Sequence, residues 1–256
     1  MLLAIDVGNT NISFGLFEGA NLVYHFRSES SRTKTADEYT VFVRQVLALR
    51  SIEHRAVNAA IIASVVPTLT DTMVALVRRA FAREPIVVGP GTRTGMPILY
   101  DNPRDVGADR IVNAVAAFEA VHAGLVVVDF GTATTFDCVS PKGEYLGGAI
   151  VPGIQISAEA LFSRAARLAR VDLAVPPKVV GRNTPHSMQS GITFGYASLV
   201  DGMIGRIREE LGFPCAVWAT GGLASLIAKL ATTIERVDDN LTLEGLRIVY
   251  ERNRCA

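Results

Sequence analysis

Two short segments of this chain repeat one pattern, and this pattern limits the folds that the chain can adopt. Residues 3–5 form an apolar run that leads into Asp6, and residues 126–128 form another that leads into Asp129. Each carboxylate is followed by one apolar residue, a glycine, and then small hydroxyl or amide side chains. Apolar runs bounded by turn residues are typical of buried strands. Because about half the chain separates the two segments, the sequence predicts a duplicated strand-turn-strand unit with an acidic residue at each tip.

The glycines of the two turns, Gly8 and Gly131, indicate what such turns could bind. Without a Cβ, the backbone can approach a ligand closely, and successive N–H groups can point at phosphate oxygens. A carboxylate beside that site would repel a bare polyphosphate, so Asp6 and Asp129 make sense as cation ligands or water-orienting groups. Two such turns facing each other across a cleft would bind a nucleoside triphosphate and its metal. Either turn alone is more typical of an ordinary hairpin, and only the repetition favours phosphate binding.

The composition argues against several other classes of protein. The chain has 256 residues, room for one large or two small domains, and its 25 basic residues balance its 25 acidic ones. Neither the apolar residues before Asp6 nor the run at 59–66 is long enough for a signal-peptide core or a membrane span. Cys138, Cys215 and Cys255 lack metal-ligand spacing. We therefore expect a reduced, cytoplasmic protein with no nucleic-acid partner and no membrane partner.

Strands and helices alternate along the chain, which predicts an α/β sheet protein rather than a β-sandwich. No Walker A sequence occurs, and the glycines at 89–95 do not match the dinucleotide fingerprint. Any ATP is therefore bound without a P-loop. Asn102 before Pro103, and Thr184 before Pro185, have the residue types of helix N-caps. Helices are predicted at about 36–50, 68–83, 102–121, 153–170, 184–211, 223–231 and 242–252.

The predicted helix at 102–121 is almost wholly apolar and carries one polar stripe, formed by Asp109, Arg110 and Asn113. Charged residues on a buried helix need partners, and a carboxylate in that position is a candidate for acid–base catalysis. A structural ion pair is the alternative interpretation.

A second segment with two interpretations is Thr220-Gly221-Gly222, which follows a predicted strand and precedes a predicted helix. A strand, a glycine pair and a helix N-terminus form a place where backbone can lie against an adenosine. A simple strand-to-helix turn is the alternative.

Two further features also have two interpretations each. The basic residues Arg27, Arg32 and Lys34 surround a polar loop that either is solvated or faces a nucleotide. A stripe of small residues on the predicted helix at 184–211 permits close approach of another helix, either of this chain or of a second subunit. The stripe consists of Gly191, Gly195, Ser198, Gly202 and Gly205.

Together these segments resemble the acetate and sugar kinase, Hsp70 and actin superfamily and, more specifically, the type III pantothenate kinases. The resemblance implies an α/β fold of two ribonuclease-H-like domains related by duplication, with an interdomain ATP cleft. The implied domains are 1–118 and 119–256, and the last helix could pack back on the first. The motifs are Asp6-Val-Gly-Asn-Thr10, Gly107-Ala-Asp-Arg110, Asp129-Phe-Gly-Thr-Ala-Thr-Thr135, Gly181-Arg-Asn-Thr184 and Thr220-Gly-Gly222.

The activity that this resemblance implies is ATP-dependent phosphorylation of pantothenate to 4'-phosphopantothenate, the first step of coenzyme A biosynthesis. The implied cofactors are ATP as phosphoryl donor, Mg²⁺, and a monovalent cation, K⁺ or NH₄⁺. The resemblance also implies a homodimer with its substrate site at the interface, and the small-residue stripe would allow two helices to pack closely there. A different small-molecule kinase of the superfamily and a non-catalytic nucleotide-binding regulatory protein are the alternatives.

The resemblance also implies roles for individual residues. Asp109 would be the catalytic base, Asp129 would hold the monovalent cation, and Asp6 would be a magnesium ligand through water. Pantothenate would contact Tyr100, Gly107, Ala108, Asp109, Arg110 and Thr184, the last from the neighbouring subunit. ATP would contact Asp6, Val7, Gly8, Asn9, Thr10, Asn11, Ile12 and Ser13, the second turn through Gly131 and Thr132, and Thr220, Gly221 and Gly222.

Overall fold

The computed structural model describes residues 1–165, 168 and 170–254 and divides the chain into two compact units. The first unit comprises Met1–Ala116 and the segment from Asn240 onward, and the second comprises Ala117–Asp239. The predicted second domain, 119–256, therefore differs from the second unit mainly by the last helix, which packs in the first unit. Within the described residues, the structure contains no helix of the length and hydropathy that a membrane crossing requires.

The first unit is built on a five-stranded mixed sheet in the order β3-β2-β1-β4-β5. Strand β1 is antiparallel to β2 and parallel to β4. Helices α1 and α2 cover one face of this sheet and contribute to its main hydrophobic core, while α7 packs on the other face. The elements are β1 (Leu2–Val7), β2 (Asn11–Glu18), β3 (Asn21–Glu29), α1 (Ala36–Ala48), β4 (Ala59–Ser64), α2 (Pro67–Phe81), β5 (Ile86–Val87) and α7 (Leu241–Asn253), with 3₁₀ helices at His54–Ala56 and Pro103–Asp105.

The second unit repeats this sheet in the order β8-β7-β6-β9-β10. Strand β6 is antiparallel to β7 and parallel to β9, as β1 is to β2 and β4. Residues of α4 and α5 form a core with one face of this sheet. Helix α3 (Ala108–Val121) begins in the first unit and ends in the second. The other elements are β6 (Leu125–Phe130), β7 (Ala133–Val139), β8 (Tyr145–Pro152), α4 (Ile154–Arg164), α5 (Thr184–Leu211), β9 (Ala216–Thr220), α6 (Ala224–Ile227) and β10 (Arg236–Val237).

The duplication predicted from the two Asp-x-Gly segments is confirmed by the strand order and by the turns themselves. In the first turn, the N–H of Gly8 donates to the carbonyl oxygen of Asn11 at 3.0 Å. In the second, the N–H of Gly131 donates to the carbonyl oxygen of Ala133 at 3.0 Å. Each turn thus closes an antiparallel hairpin directly after the strand that carries the carboxylate, so Asp6 and Asp129 occupy equivalent places in the two sheets.

The start of α3 differs from the prediction. Asn102 caps a one-turn 3₁₀ helix, Pro103–Asp105, by accepting a hydrogen bond from the N–H of Arg104, and this helix does not continue into α3. Val106 has extended backbone (ψ 122°), so the helical hydrogen-bond pattern is broken before α3 starts at Ala108. The capping signal was therefore read correctly, but it belongs to a separate element.

Three other helix boundaries also differ. Asn183, not Thr184, is the N-cap of α5, because its side chain accepts the hydrogen bond from the N–H of His186 at 2.8 Å. Helix α4, predicted to reach residue 170, ends at Arg164, and residues 166, 167 and 169 lie outside the described part of the chain. Helix α6, predicted over 223–231, has only four residues.

The C-terminal helix holds the long loop that leads to Tyr100. The side chain of Asn253 accepts a hydrogen bond from the N–H of Arg93 at 3.0 Å and donates one to the carbonyl oxygen of Arg93 at 2.9 Å. Arg252 donates to the carbonyl oxygen of Thr94 and lies 2.7 Å from the place that a Cβ on Gly95 would take. Because Gly95 also has a positive φ of 68°, a larger residue would disturb this anchor.

We expect the packing of α7 to be sensitive to a single methyl group. A Cβ on Gly245 would lie 2.0 Å from the carbonyl oxygen of Val112, a backbone atom that cannot move aside alone. Gly245→Ala should therefore lower the free energy of unfolding by about 1–3 kcal/mol, measured by urea denaturation. The matched control is Gly15→Ala, where the new methyl group meets the flexible side-chain end of Leu243 at 3.0 Å. Equal losses in the two variants would contradict this account of the packing.

Candidate functional site

The turn after β1 combines a carboxylate with a backbone loop that is held from outside. Asp6 pairs with Ser13 across the hairpin, and Gly8 follows two residues later. Ser30 binds this turn twice: its N–H donates to the carbonyl oxygen of Thr10 at 2.9 Å, and its hydroxyl donates to that of Gly8 at 2.6 Å. Because these bonds use carbonyl oxygens, the N–H side of the turn is the side that can face an anion. The sequence predicts that the basic residues of the neighbouring polar loop are either solvated or facing a nucleotide. In the structure all three, Arg27, Arg32 and Lys34, are exposed.

The turn after β6 is packed against the start of α4. Gly153, the N-cap of α4, donates its N–H to the carbonyl oxygen of Thr132 at 3.1 Å. A Cβ on Gly153 would lie 2.2 Å from that oxygen and 2.6 Å from the carbonyl oxygen of Gly131. Only glycine permits this approach, which orients the peptide groups of the turn. The sequence analysis placed Gly153 at a helix start but did not connect it with the turn.

Asp129 lies between two hydroxyl residues and against two glycines. It pairs with Thr135 of β7 on one side and with Thr220 of β9 on the other. A Cβ on Gly221 would lie 2.6 Å from Oδ1 of Asp129, and one on Gly131 would lie 3.7 Å from it. Gly221 has a positive φ of 94°, which also favours glycine. The Thr-Gly-Gly segment therefore lines the Asp129 carboxylate, while Gly222 is exposed and has open space where its Cβ would be.

Asp109 is held in the first turn of α3 by its own neighbours. Its Oδ1 accepts a hydrogen bond from the N–H of Arg110 at 2.8 Å, and a Cβ on Gly107 would lie 2.5 Å from the same oxygen. Burial raises the pKa of the Asp109 carboxyl above its usual value of 3.8, although the N–H and the charge of Arg110 partly oppose this shift. The side chain keeps some exposure to solvent. A carboxylate with a raised pKa that solvent can still reach suits a general base.

The remaining predicted substrate residues fall in both units. Tyr100 is half-buried at the end of the loop that α7 anchors in the first unit, close in sequence to the 3₁₀ helix before Gly107. Thr184 is exposed in the second unit as the first residue of α5 and lines a pocket of about 870 Å³. Arg182 and Tyr196 also line this pocket. The substrate role of each of these residues stays a prediction.

The small-residue stripe of α5 does not pack against another described part of this chain. All five stripe residues are exposed, and a Cβ on any of the four glycines would meet no atom of the described residues within 4 Å beyond the adjacent backbone of α5 itself. Thr184, Ser187 and Gly191 continue the same exposed face toward the pocket at the start of α5. Of the two interpretations of the stripe, packing against an internal helix is therefore wrong for the described residues.

Sequence reasoning missed a buried acidic group beside Asp129. Asp137 of β7 has no exposed surface, and its two oxygens accept hydrogen bonds from the hydroxyl of Thr135 at 2.9 Å and that of Tyr145 at 2.7 Å. The signal in the sequence was an aspartate inside the otherwise apolar run Phe136–Val139. Aspartate is disfavoured in strands, and burying it costs free energy unless hydrogen bonds satisfy its oxygens.

The oxygen ligands around Asp6 and Asp129 are of the type that binds hard cations, and each site has few of them. Both sites offer a carboxylate with hydroxyl and backbone oxygens, the ligand types that magnesium and alkali cations prefer. Within residues 1–165, 168 and 170–254, no cluster of three or more His, Cys, Asp or Glu side chains could hold a metal ion. A magnesium ion at Asp6 would thus depend on ligand phosphates for further oxygen ligands.

Comparison with solved structures shows which folds this chain resembles. A Baf family protein from Campylobacter jejuni, whose name describes a transcriptional activator, superposes with a TM-score of 0.63 at 18% identity over 99% of this chain and 100% of that one. A ROK family glucokinase from Streptomyces griseus, solved with glucose and AMPPNP, superposes with a TM-score of 0.56 at 13% identity over 100% and 99%. At these identities the similarity concerns the fold alone.

Comparison of sequences is far more specific. The family model described as type III pantothenate kinase matches residues 2–206. A protein named type III pantothenate kinase from Myxococcus xanthus is 59% identical over 256 residues, which is the full length of both chains. The chain therefore belongs to the type III pantothenate kinase family.

Proposed function

We propose that this chain transfers the γ-phosphoryl group of ATP to the primary hydroxyl of pantothenate and thereby produces 4'-phosphopantothenate for coenzyme A biosynthesis. Family membership supports ATP as the donor and pantothenate as the acceptor. The observation that carries the mechanism is Asp109, whose carboxylate is fixed by the N–H of Arg110, lies where only a glycine at 107 leaves it room, and has a pKa raised by burial. We place the reaction in the cytoplasm, where both substrates are available.

The reaction needs positioning, charge neutralisation and one proton acceptor. Asp109 accepts the proton of the pantothenate hydroxyl while the hydroxyl oxygen forms a bond to the γ-phosphorus. The bond between that phosphorus and the β,γ-bridging oxygen breaks, and ADP leaves with the bond's electrons. Tyr100, Gly107, Ala108 and Arg110 hold the pantothenate so that its hydroxyl lies in line with the breaking bond.

The ATP is bound by backbone and hydroxyl donors of the two turns. The first turn contributes the segment 6–13, and the second contributes Gly131 and Thr132. The carbonyl oxygens of Gly8 and Thr10 accept hydrogen bonds from Ser30 on one side of the first turn. Phosphate oxygens would bind on the opposite side of that turn. Thr220, Gly221 and Gly222 lie on the adenosine side. Because Gly222 has open space around its Cα, it is the member of this segment best suited to touch a ligand.

Two cations complete the proposed site. Asp6 would hold Mg²⁺ through water, and Asp129 would hold K⁺ or NH₄⁺. When bound, these cations neutralise the negative charge of the phosphates. The glycines around Asp129 keep side chains away from its carboxylate, and the hydroxyl residues on both sides of it supply further oxygen ligands.

We also propose that the protein is a homodimer in which the exposed face of α5 packs against a second copy. Small residues at Gly191, Gly195 and Gly202 would let two helices approach closely. Thr184 lies on the same exposed face, so a contact there would bring it near the substrate of the neighbouring subunit.

Removing the carboxylate of Asp109 should abolish most of the activity and leave the fold intact. Asp109→Asn keeps the shape of the side chain but cannot accept the proton, so kcat should fall roughly 10²–10⁴-fold. The measurement is ADP formation with pantothenate, compared with a panel of sugars and carboxylates. Asp105→Asn is the matched control, because Asp105 is an exposed carboxylate four residues earlier. A folded Asp109→Asn enzyme with normal turnover would refute the role of the base.

The raised pKa of Asp109 predicts the position of the acidic limb in the pH profile. Only the ionised carboxylate accepts a proton, so kcat/KM for pantothenate should fall as the pH decreases through the raised pKa, at values above the usual 3.8. The residual activity of Asp109→Asn should lack this limb. Circular dichroism at each pH separates it from acid unfolding. A limb at or below pH 3.8, or one that persists in Asp109→Asn, would contradict the assignment.

A bulky side chain on the α5 stripe should break the dimer. Gly195→Leu places four carbon atoms of side chain on the proposed contact face and should shift the molecular mass, measured by light scattering after gel filtration, to that of a monomer. If Thr184 acts from the neighbouring subunit, the KM for pantothenate should rise as well. Gln45→Leu is the control, because it adds the same exposed side chain to α1. A Gly195→Leu protein that remains dimeric would rule out this face as the interface.

A further inference from the structure

A row of oxygen-bearing side chains crosses the second sheet at the tip of β6. In the strand register, Asp129 lies opposite Thr135 of β7 and opposite Thr220 of β9. Residues opposite each other on paired strands point to the same face of a sheet, so these three side chains form a row on one face. Asp129 and Thr135 are partly exposed, and Thr220 is 2% exposed. A small ligand can therefore reach the row at Asp129 and Thr135.

The hydroxyl of Thr135 is oriented by the carboxyl group of Asp137, which has no role in the proposed phosphoryl transfer. It donates its hydrogen to Oδ2 of Asp137 at 2.9 Å. A hydroxyl has one hydrogen and two lone pairs. With its hydrogen committed to Asp137, Thr135 presents lone pairs to any other partner, and lone pairs are what a cation binds.

Asp137 is itself fixed in place. The hydroxyl of Tyr145 donates to its Oδ1 at 2.7 Å, and both Asp137 and Tyr145 are fully buried. Buried hydrogen bonds in a low-dielectric surrounding are strong, and they select one side-chain geometry. Asp137 lies on the same sheet face as Asp129, opposite Val127 on β6, so the group that orients Thr135 belongs to the same face as the row.

The first unit lacks this arrangement, although its hairpin is otherwise equivalent. There Asp6 lies opposite Ser13 of β2 and opposite Ala63 of β4, so the row has one hydroxyl fewer. The residue two positions after Ser13, which corresponds to Asp137, is Gly15. The orienting carboxylate is thus a property of the second turn only.

From these contacts we infer that Thr135 is a ligand of the monovalent cation at Asp129, and that Asp137 and Tyr145 are positioning residues that aim its hydroxyl oxygen at the cation. The inference rests on the proposed cation role of Asp129 and extends it to residues outside the proposed binding set. Groups that orient a metal ligand without touching the metal typically change the affinity about 10–100-fold when they are removed.

The K⁺ dependence of the thermal unfolding temperature tests this inference without a measurement of turnover. The full-length protein is heated with Mg²⁺ and ADP in mixtures of KCl and choline chloride at constant ionic strength. The K⁺-specific increase in Tm is fitted as a function of K⁺ concentration to give the Kd for K⁺. Thr135→Val removes the hydroxyl at nearly constant volume. Asp137→Asn replaces one acceptor oxygen by a donor, and Tyr145→Phe removes one hydrogen bond to Asp137. Each should raise the Kd for K⁺ by about tenfold or more.

Thr134→Val is the matched control. Thr134 is the adjacent residue of the same strand and points to the opposite face. Its buried hydroxyl oxygen has no hydrogen-bond partner among the residues that the structure describes. This variant should respond to K⁺ as the unaltered protein does, so a general effect of losing a threonine hydroxyl on β7 would be visible in it.

The outcomes separate the two levels of the proposal. If the unaltered protein responds to K⁺, Asp129→Asn does not, and Thr135→Val responds normally, the cation site stands and the inference about Thr135 is refuted. A normal response of both Asp137→Asn and Tyr145→Phe would refute the positioning roles alone. If the unaltered protein shows no K⁺-specific increase in Tm, the cation role of Asp129 fails and the inference fails with it.

Discussion

Each unit of this protein depends on a central strand that has an antiparallel neighbour on one side and a parallel neighbour on the other. Strands β1 and β6 have this position, and the tight turn after each one is closed by a glycine N–H. The antiparallel neighbour brings a hydroxyl residue opposite the carboxylate, and the parallel neighbour brings the end of a further strand beside it. The carboxylates of Asp6 and Asp129 are thus placed by strand pairing, which the hydrophobic cores on the sheet faces stabilise.

The two copies keep this frame and differ in what surrounds the carboxylate. Around Asp129, Gly221 approaches so closely that no other residue would fit, and Asp137 fixes the hydroxyl of the residue opposite. Around Asp6, the parallel neighbour offers only Ala63. A duplicated fold can therefore supply two different carboxylate environments from one topology, and we attribute the different roles proposed for Asp6 and Asp129 to these few differences.

Much of the fold could be predicted from the sequence because its signals are local. Apolar runs before Asp6 and Asp129 identified the central strands, and Pro103 and Pro185 marked the starts of the second 3₁₀ helix and of α5. Strand order could not be derived in the same way, since pairing of β6 with β9 joins segments far apart in the chain. The local signals also failed where two candidates compete, as at Asn183 and Thr184, because which side chain caps the helix depends on backbone geometry.

The candidate site was predictable to a similar degree. The polar stripe made Asp109 a candidate for acid–base chemistry, and the base role proposed for it came from the family resemblance. The close approach of its carboxylate to Gly107 depends on the fold, and the sequence does not contain it. The buried network of Asp137 was missed because a single aspartate in a strand has no periodic pattern, and only the fold shows that Thr135 and Tyr145 satisfy it.

The central claim is that this chain is a pantothenate kinase whose turnover depends on a monovalent cation. The most direct test is ADP formation from ATP and Mg²⁺ with and without pantothenate, in potassium buffer and again in sodium buffer of equal ionic strength, with the product identified by mass. The account predicts pantothenate-dependent ADP formation with one phosphoryl group added to pantothenate, and much faster turnover in potassium. No pantothenate-dependent ADP in either buffer, from folded protein that binds ATP, would contradict it.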